Sequence, residues 1–457
     1  MFNFLFGQAK TPQRVATDQV VPEKGELEHH IPATFSQDRP AVGFDHFDLS
    51  DVAVEDHSTA KRIPRPPRDG RPAIVGDPDD LSELTYGHDA PKTLDDYLYT
   101  DRPELGLRVI SFKNATIVVL HWIHLAFGAV AKRSLLDAWT LMLQGREDEI
   151  LQPLAPNNYV LENIGRNPTE PHALATHRIS VPGIVSWVLR NVYSLALSSK
   201  EHRMLCVPAA YLAKLRTKAL AELAAQAFAT GQKATPFLSE GDVLVAWTTR
   251  LAMTNLSQDS ERCVGVCLPR PPTLDITFLT VHVCFKVAVQ QAYQWRPVLA
   301  DLIPANKPFL SNCVGFLVTL VTAKDVLQKP LSYLASQIRR TIEDQGTRKQ
   351  VEAYTSLIRQ DSVTKAPPFF GDSSMQLIMF SNWQKANMYD TDLSAAAFRS
   401  RETPLFPSYV QTVQAPYCFT DGIIIVGKDK EGNYWLSGYR VKGLWDVMEE
   451  KIAQNKV

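Results

Sequence analysis

The most constraining feature of the chain is Thr116-Ile-Val-Val-Leu120, followed at once by His121-Trp-Ile-His124-Leu-Ala-Phe-Gly128. Apolar residues at helical spacing come next: Leu135, Leu136, Trp139, Met142 and Leu143. Side chains branched at Cβ crowd a helix and pack well on a pleated strand, so the run predicts a buried central strand. The three- and four-residue spacing predicts a helix that ends near Arg146 and Glu147. A strand, a short connection and a helix in this order require an α/β architecture. They also put both histidines at the carboxyl end of a strand, where α/β proteins gather ligands.

Other segments read in the same way. Residues 183–197 predict an apolar core helix, and Leu212, Leu215, Ala219 and Leu223 an amphipathic one fading at Gly231. Ser239 and Asp242, three residues apart, predict a helix cap, with Val243, Leu244, Trp247 and Leu251 in the helix behind it. The apolar runs 422–427 and 434–437 predict a hairpin across Lys428-Asp-Lys-Glu-Gly-Asn433, and Leu444, Met448 and Ile452 a last helix. A length of 457 residues exceeds the usual single core. Two α/β halves are therefore expected, residues 1–220 and 236–457, with 221–235 as the crossover. Residues 268–286 read as a loop and a strand with no assigned role.

Charge and cysteine usage narrow the function. Lys plus Arg number 48 against 49 Asp plus Glu, a net −1, which argues against nucleic-acid binding. No run of about 18 uncharged apolar residues is present, so no membrane span is expected. The opening Met1-Phe-Asn-Phe-Leu-Phe6 is too short for a secretory segment. The six cysteines are scattered without metal-ligand spacing, which predicts no metal site and a cytoplasmic, reducing compartment. Residues 61–72 hold five cations and four prolines and read as an extended surface loop. A monomer is expected. No phosphate loop, Gly-x-Gly-x-x-Gly, His-Glu-x-x-His or Gly-x-Ser-x-Gly motif occurs. Of the usual chemistry-bearing groups this leaves the paired histidines. Near neutral pH a histidine can accept a proton from a hydroxyl or amine, although most buried histidines simply satisfy a backbone carbonyl.

The His124 segment resembles the His-x-x-x-Asp motif of the BAHD-type acyltransferase superfamily, in its fungal branch of trichothecene acetyltransferase-like enzymes. Five further stretches agree in the family's order: Arg203-Met-Leu-Cys-Val-Pro208, residues 239–250, Leu310-Ser-Asn-Cys-Val-Gly-Phe316, Phe380-Ser-Asn-Trp-Gln-Lys385 with Tyr389-Asp-Thr-Asp392, and residues 422–445. The resemblance implies two chloramphenicol-acetyltransferase-like domains with mixed sheets flanked by helices and a tunnel between them. It implies no bound cofactor, acyl-CoA as co-substrate, and a small hydrophobic hydroxylated or amine acceptor. His124 would be the general base, and Ser381, Asn382 and Trp383 would line the site that stabilises the oxyanion.

Three departures accompany the resemblance. Gly128 replaces the motif aspartate, whose arginine partner would be Arg296, leaving Asp301 as the sequence-near acid to compensate. The family's second signature is reduced to Asp392 in Asp392-Leu-Ser-Ala-Ala396. Residues 26–32, which resemble an early strand, come too soon in the chain, so an N-terminal strand and helix are expected to be missing or remade. These departures support a rival reading: an inactive or repurposed homologue that binds a hydrophobic small molecule or steers a different reaction. They also lead to the expectation that Gly128→Asp is tolerated and stabilises the protein or raises transfer.

Overall fold

The computed structural model describes residues 33–87, 90–98, 100, 102–124, 127–155, 159–231, 236–256, 286–361, 367–398, 402–413 and 421–454, together with two short strands near the start. Those two, β1 (Gln19–Val21) and β2 (Glu26–Glu28), pair antiparallel, so a strand does precede the early segment. The other strands are β3 (Val42–Leu49), β4 (Ala73–Gly76), β5 (Leu105–Phe112), β6 (Thr116–Trp122), β7 (Lys200–Val207), β8 (Lys286–Gln294), β9 (Val314–Thr322), β10 (Gln376–Asn382), β11 (Gly422–Lys428) and β12 (Tyr434–Val441). The main helices are α1 (Ala131–Leu143), α2 (Val181–Val192), α3 (Ala209–Ala229), α4 (Glu240–Met253), α5 (Ala323–Gln328), α6 (Leu331–Gln345), α7 (Arg348–Gln360) and α8 (Leu444–Ala453). Residues 268–285 lie outside the described residues. None of the described helices is long and apolar enough to cross a membrane.

Two sheets carry the fold. The larger has seven strands in the order β4-β7-β12-β11-β10-β8-β9, and the smaller has three in the order β3-β5-β6. The larger is mixed: β10 runs parallel to both β8 and β11, while β12 pairs antiparallel with β11 and β7. Strands from early in the chain, β4 and β7, thus hydrogen-bond into the sheet built by the last strands. Gly422-Ile-Ile-Ile-Val-Gly427 is buried along its length, as a strand covered on both faces must be. The hairpin turn depends on Asp429, whose carboxylate accepts the backbone N–H groups of Glu431 and Asn433. It also depends on Gly432, whose φ of 87° favours glycine.

Alternation along these strands divides the core. One face, with Leu205, Val289, Phe380, Ile425 and Leu436, packs on α4. That helix is buried nearly all round, as an apolar helix in a large core is. It starts with the expected capping box between Ser239 and Asp242. The opposite face carries two clusters, Met204, Cys206, Ile424, Val426 and Trp435 in one and Ala288, Val318 and Leu377 in the other.

Three expectations need correction. Thr116–Leu120 lies in an edge strand of the small sheet, half-exposed along its length; its β-branched residues report strand propensity and not depth. Residues 183–197 form the end of α2 and a π turn over Tyr193–Leu197, with Val185, Leu189 and Leu197 exposed. This helix is amphipathic with Trp187 as its buried anchor. The supposed crossover 221–235 begins as the second half of α3, which continues to Ala229.

One buried ion pair ties the end of the large sheet together. Arg440 and Asp421 are 1% and 3% exposed in their side chains, with Nε donating to Oδ1 at 2.7 Å. Arg440 also donates to the carbonyls of Ala252 and Leu444. Removing one member of such a pair strands the other charge, at about 3–5 kcal/mol. Arg440→Ala is therefore expected to lower the urea midpoint by that equivalent. Arg65→Ala, which breaks an exposed pair with Glu55, should cost at most about 1 kcal/mol.

Candidate active site

The large sheet supplies the floor of the site. β6 ends at Trp122, and the turn through Ile123 and His124 leads toward α1. Ala129, beyond the turn, packs with Trp383, Met204, Ile424 and Trp435, and Trp122 joins the same cluster from the other side. His124 is thus moored to the sheet by apolar neighbours before and after it.

Its chemistry follows from three contacts. The main-chain carbonyl of His124 lies near its own ring and favours the protonated form. The same carbonyl accepts a hydrogen bond from Asn312 Nδ2 at 2.8 Å. The ring is open to solvent on one side, yet the surrounding protein holds its pKa below the ordinary imidazole value. The carbonyl opposes that shift and the Lys132 charge adds to it. His124 is therefore a neutral base near pH 7.

Gly128 makes room for this arrangement. A Cβ on Gly128 would lie 2.6 Å from Asn312 Oδ1, and Gly128 is not among the glycines with positive φ. Space, rather than backbone conformation, explains the glycine. Asn312 thus lies against the position where the family motif carries a carboxylate, and it braces the His124 carbonyl directly.

Arg296 has no acid partner among its described contacts. It donates to Gln294 Oε1 at 2.6 Å and to the carbonyls of Phe309 and Ser311 at 2.5 and 2.9 Å, and burial lowers its pKa. Asp301, expected to compensate, is paired with Arg348 at 2.7 Å instead. The Arg296 guanidinium thereby fixes the backbone just before Asn312.

The residues grouped for the oxyanion separate by face. Trp383 is buried and donates from Nε1 to Ser381 Oγ at 2.8 Å; it belongs to the cluster under the histidine turn. Asn382 lies in a small cavity of about 110 Å³ with Ser239, Asp242, Gln291 and Phe380, on the α4 side. Successive strand residues point to opposite faces, so the three cannot act on one atom. Asp392 caps a turn by accepting the backbone N–H and the hydroxyl of Ser394, and those bonds lower its pKa. His121 also lies apart. It lines a cavity of about 460 Å³ beside the small sheet, with Phe44, Tyr97 and Arg108, and hydrogen-bonds the Thr85 carbonyl.

Sequence reasoning missed two residues here. Asn312 falls inside a quoted family stretch, but nothing in its spacing links it to position 128. Lys132, 4% exposed, is a cation within the predicted α1 pattern, and that misplaced charge was the available signal.

The geometry reverses the expectation for Gly128→Asp. Any side chain there must displace Asn312 and loosen the His124 carbonyl, and overpacking of this kind costs about 1–3 kcal/mol. Gly128→Ala and Gly128→Asp should lower the melting temperature alike, and Asn312→Gly in the same chain should restore most of the loss. Thermal melts of the four proteins check this; an aspartate variant more stable than wild type would contradict it.

No family model matches the sequence. Among known proteins, the transcriptional regulator calD of Penicillium decumbens is 33% identical over 446 residues, spanning 94% of this chain and 84% of that protein. The acetyltransferase adrJ of Penicillium rubens is 30% identical over 441 residues, spanning 94% and 83%. Among solved structures, F. graminearum TRI101 complexed with coenzyme A and T-2 mycotoxin superposes with a TM-score of 0.59 at 15% identity. That alignment covers 92% of this chain and 80% of the other, and it shows a shared fold.

Proposed function

The chain belongs to the BAHD-type acyltransferase superfamily, in its fungal branch, and from that premise we propose that His124 catalyses acyl transfer from acyl-CoA to a small hydrophobic hydroxylated or amine acceptor. The observation that carries this reading is the His124 ring itself: on the turn that follows β6, with its pKa lowered so that the neutral form prevails, and with its carbonyl braced by Asn312. Coenzyme A and T-2 mycotoxin, which the similarly folded TRI101 structure contains, support an acyl-CoA donor and a small-molecule acceptor. Residues 1–220 and 236–457 would be the two acyltransferase-like halves, joined through the strands that β4 and β7 contribute to the large sheet.

The reaction follows from proton bookkeeping. His124 takes the acceptor proton as the acceptor oxygen or nitrogen attacks the thioester carbon. The carbonyl electrons move to oxygen, the tetrahedral species collapses, and the coenzyme A thiolate leaves with the proton from His124. Asn312 holds the His124 carbonyl, and with it the turn that carries the ring, through both transfers. Acyl-CoA is consumed, so the chemistry calls for no resident cofactor.

A second reading, an inactive or repurposed homologue that binds a hydrophobic small molecule or steers a different reaction, is favoured by Gly128 and by the turn role of Asp392. Two measurements separate the readings. His124→Ala is expected to lower coenzyme A release from acetyl-CoA, with hydroxylated natural products as acceptors, by about 10²–10⁴. His121→Ala should leave it within a few-fold, because His121 faces the other cavity. The wild-type rate should fall as pH drops through the lowered His124 pKa, since only the neutral ring accepts a proton. Equal losses in both variants, or no release at all, would favour the second reading. Coenzyme A should also raise the melting temperature, with about 2.7 kcal/mol of stabilisation at 100 times its dissociation constant.

A further inference from the structure

Lys132 is the second residue of α1, 4% exposed, with Nζ 4.1 Å from the Trp122 ring centre and 3.7 Å from that of Trp383. One tryptophan ends the strand that leads to His124, and the other follows β10. Three local influences oppose a positive charge here. The helix N-terminus is the positive end of its dipole, the first turn of α1 contains no acidic residue, and burial removes water.

Among the described residues, the groups around it supply no anion. His124 is the ionisable group that senses the Lys132 charge. Neighbouring Arg133 is turned to Asp137 and to the Asn387 carbonyl. Tyr389 and Cys206, which pack with Trp383, have pKa values raised by burial and stay uncharged. The faces of two tryptophans hold the ammonium but cannot neutralise it. A buried cation placed at such cost beside a base implies that its counter-charge comes with the substrate.

We propose that Lys132 is the electrostatic partner of the negative charge formed at the reacting centre, first on the thioester carbonyl oxygen and then on the departing coenzyme A sulfur. This rests on the transferase reading of His124 and adds a second charged residue to it. His124 moves the proton, and Lys132 remains an ammonium throughout, lowering the energy of both anions without exchanging a proton.

Coenzyme A itself is the probe, because its free thiol can form the same sulfur anion without an acceptor. The ultraviolet thiolate band of coenzyme A bound to wild-type protein is followed against pH and compared with Lys132→Met, whose thioether suits a slot between two rings. In the wild type the bound thiol should ionise at least about one pH unit lower than the free thiol, with about tenfold more thiolate at a given pH, as thiols beside a lysine do. Lys132→Met should bind coenzyme A and return ionisation to the free value. It should melt at or above the wild-type temperature, since an unpaired buried charge has gone. The pH profile of acetyl-CoA turnover supplies an independent readout. Wild type should lose activity as pH rises through the Lys132 pKa of about 7, and Lys132→Met should lack that limb. Its acid limb should move up toward the ordinary histidine value. An unshifted thiol in both proteins, or an alkaline limb retained in Lys132→Met, would overturn the proposal. If coenzyme A fails to raise the melting temperature of wild type, the transferase reading fails first, which separates the two failures.

Discussion

A single hydrogen bond across 188 residues of sequence, Asn312 Nδ2 to the His124 carbonyl, sets the geometry of the site. The amide thereby holds the backbone that carries the candidate base. Everything near the turn serves this contact. Gly128 leaves the volume in which Asn312 sits, Arg296 pins the carbonyls of Phe309 and Ser311 just upstream, and Ala129 and Trp122 anchor the turn to the sheet. A carboxylate–arginine pair could give rigidity through charge. Here a neutral amide and a guanidinium bonded to backbone carbonyls brace the loop, with no buried acid whose own charge would need matching.

Among the described residues no acid lies beside the turn, and this has an electrostatic consequence. A carboxylate near His124 would favour the imidazolium, whereas the Lys132 ammonium disfavours it. Burial and that cation act together to keep the ring neutral. The cost is an unmatched charge in the core beneath, softened by two aromatic faces. Sites that handle transient anions commonly hold charges whose partners arrive only during reaction.

The sequence made the strand–turn–helix unit, the capping box at Ser239, the last hairpin and the closing helix legible, because each depends on local chemistry: β propensity, a side chain reaching three residues along, a turn-forming Asp and Gly. Depth was not legible. The Thr116 run has the composition of a central strand but lies at an edge, and α2 has the composition of a core helix but turns Val185 and Leu189 outward. Both depend on which elements pack alongside, which no local window contains. At the site, His124 was found through its motif. The separation of Asn382 from Trp383 follows from strand alternation and could have been read in advance. The Asn312 contact could not, since residue type and spacing say nothing about two loops meeting.

The central claim is that His124 is held neutral as the base of the site. Nitrogen-detected magnetic resonance of protein labelled at histidine, titrated with pH and assigned through His124→Ala, reports the pKa of this ring directly. The account predicts a ring titrating below the ordinary value of about 6.5, moving upward in Lys132→Met. A ring titrating at or above the ordinary value in the wild type would contradict it.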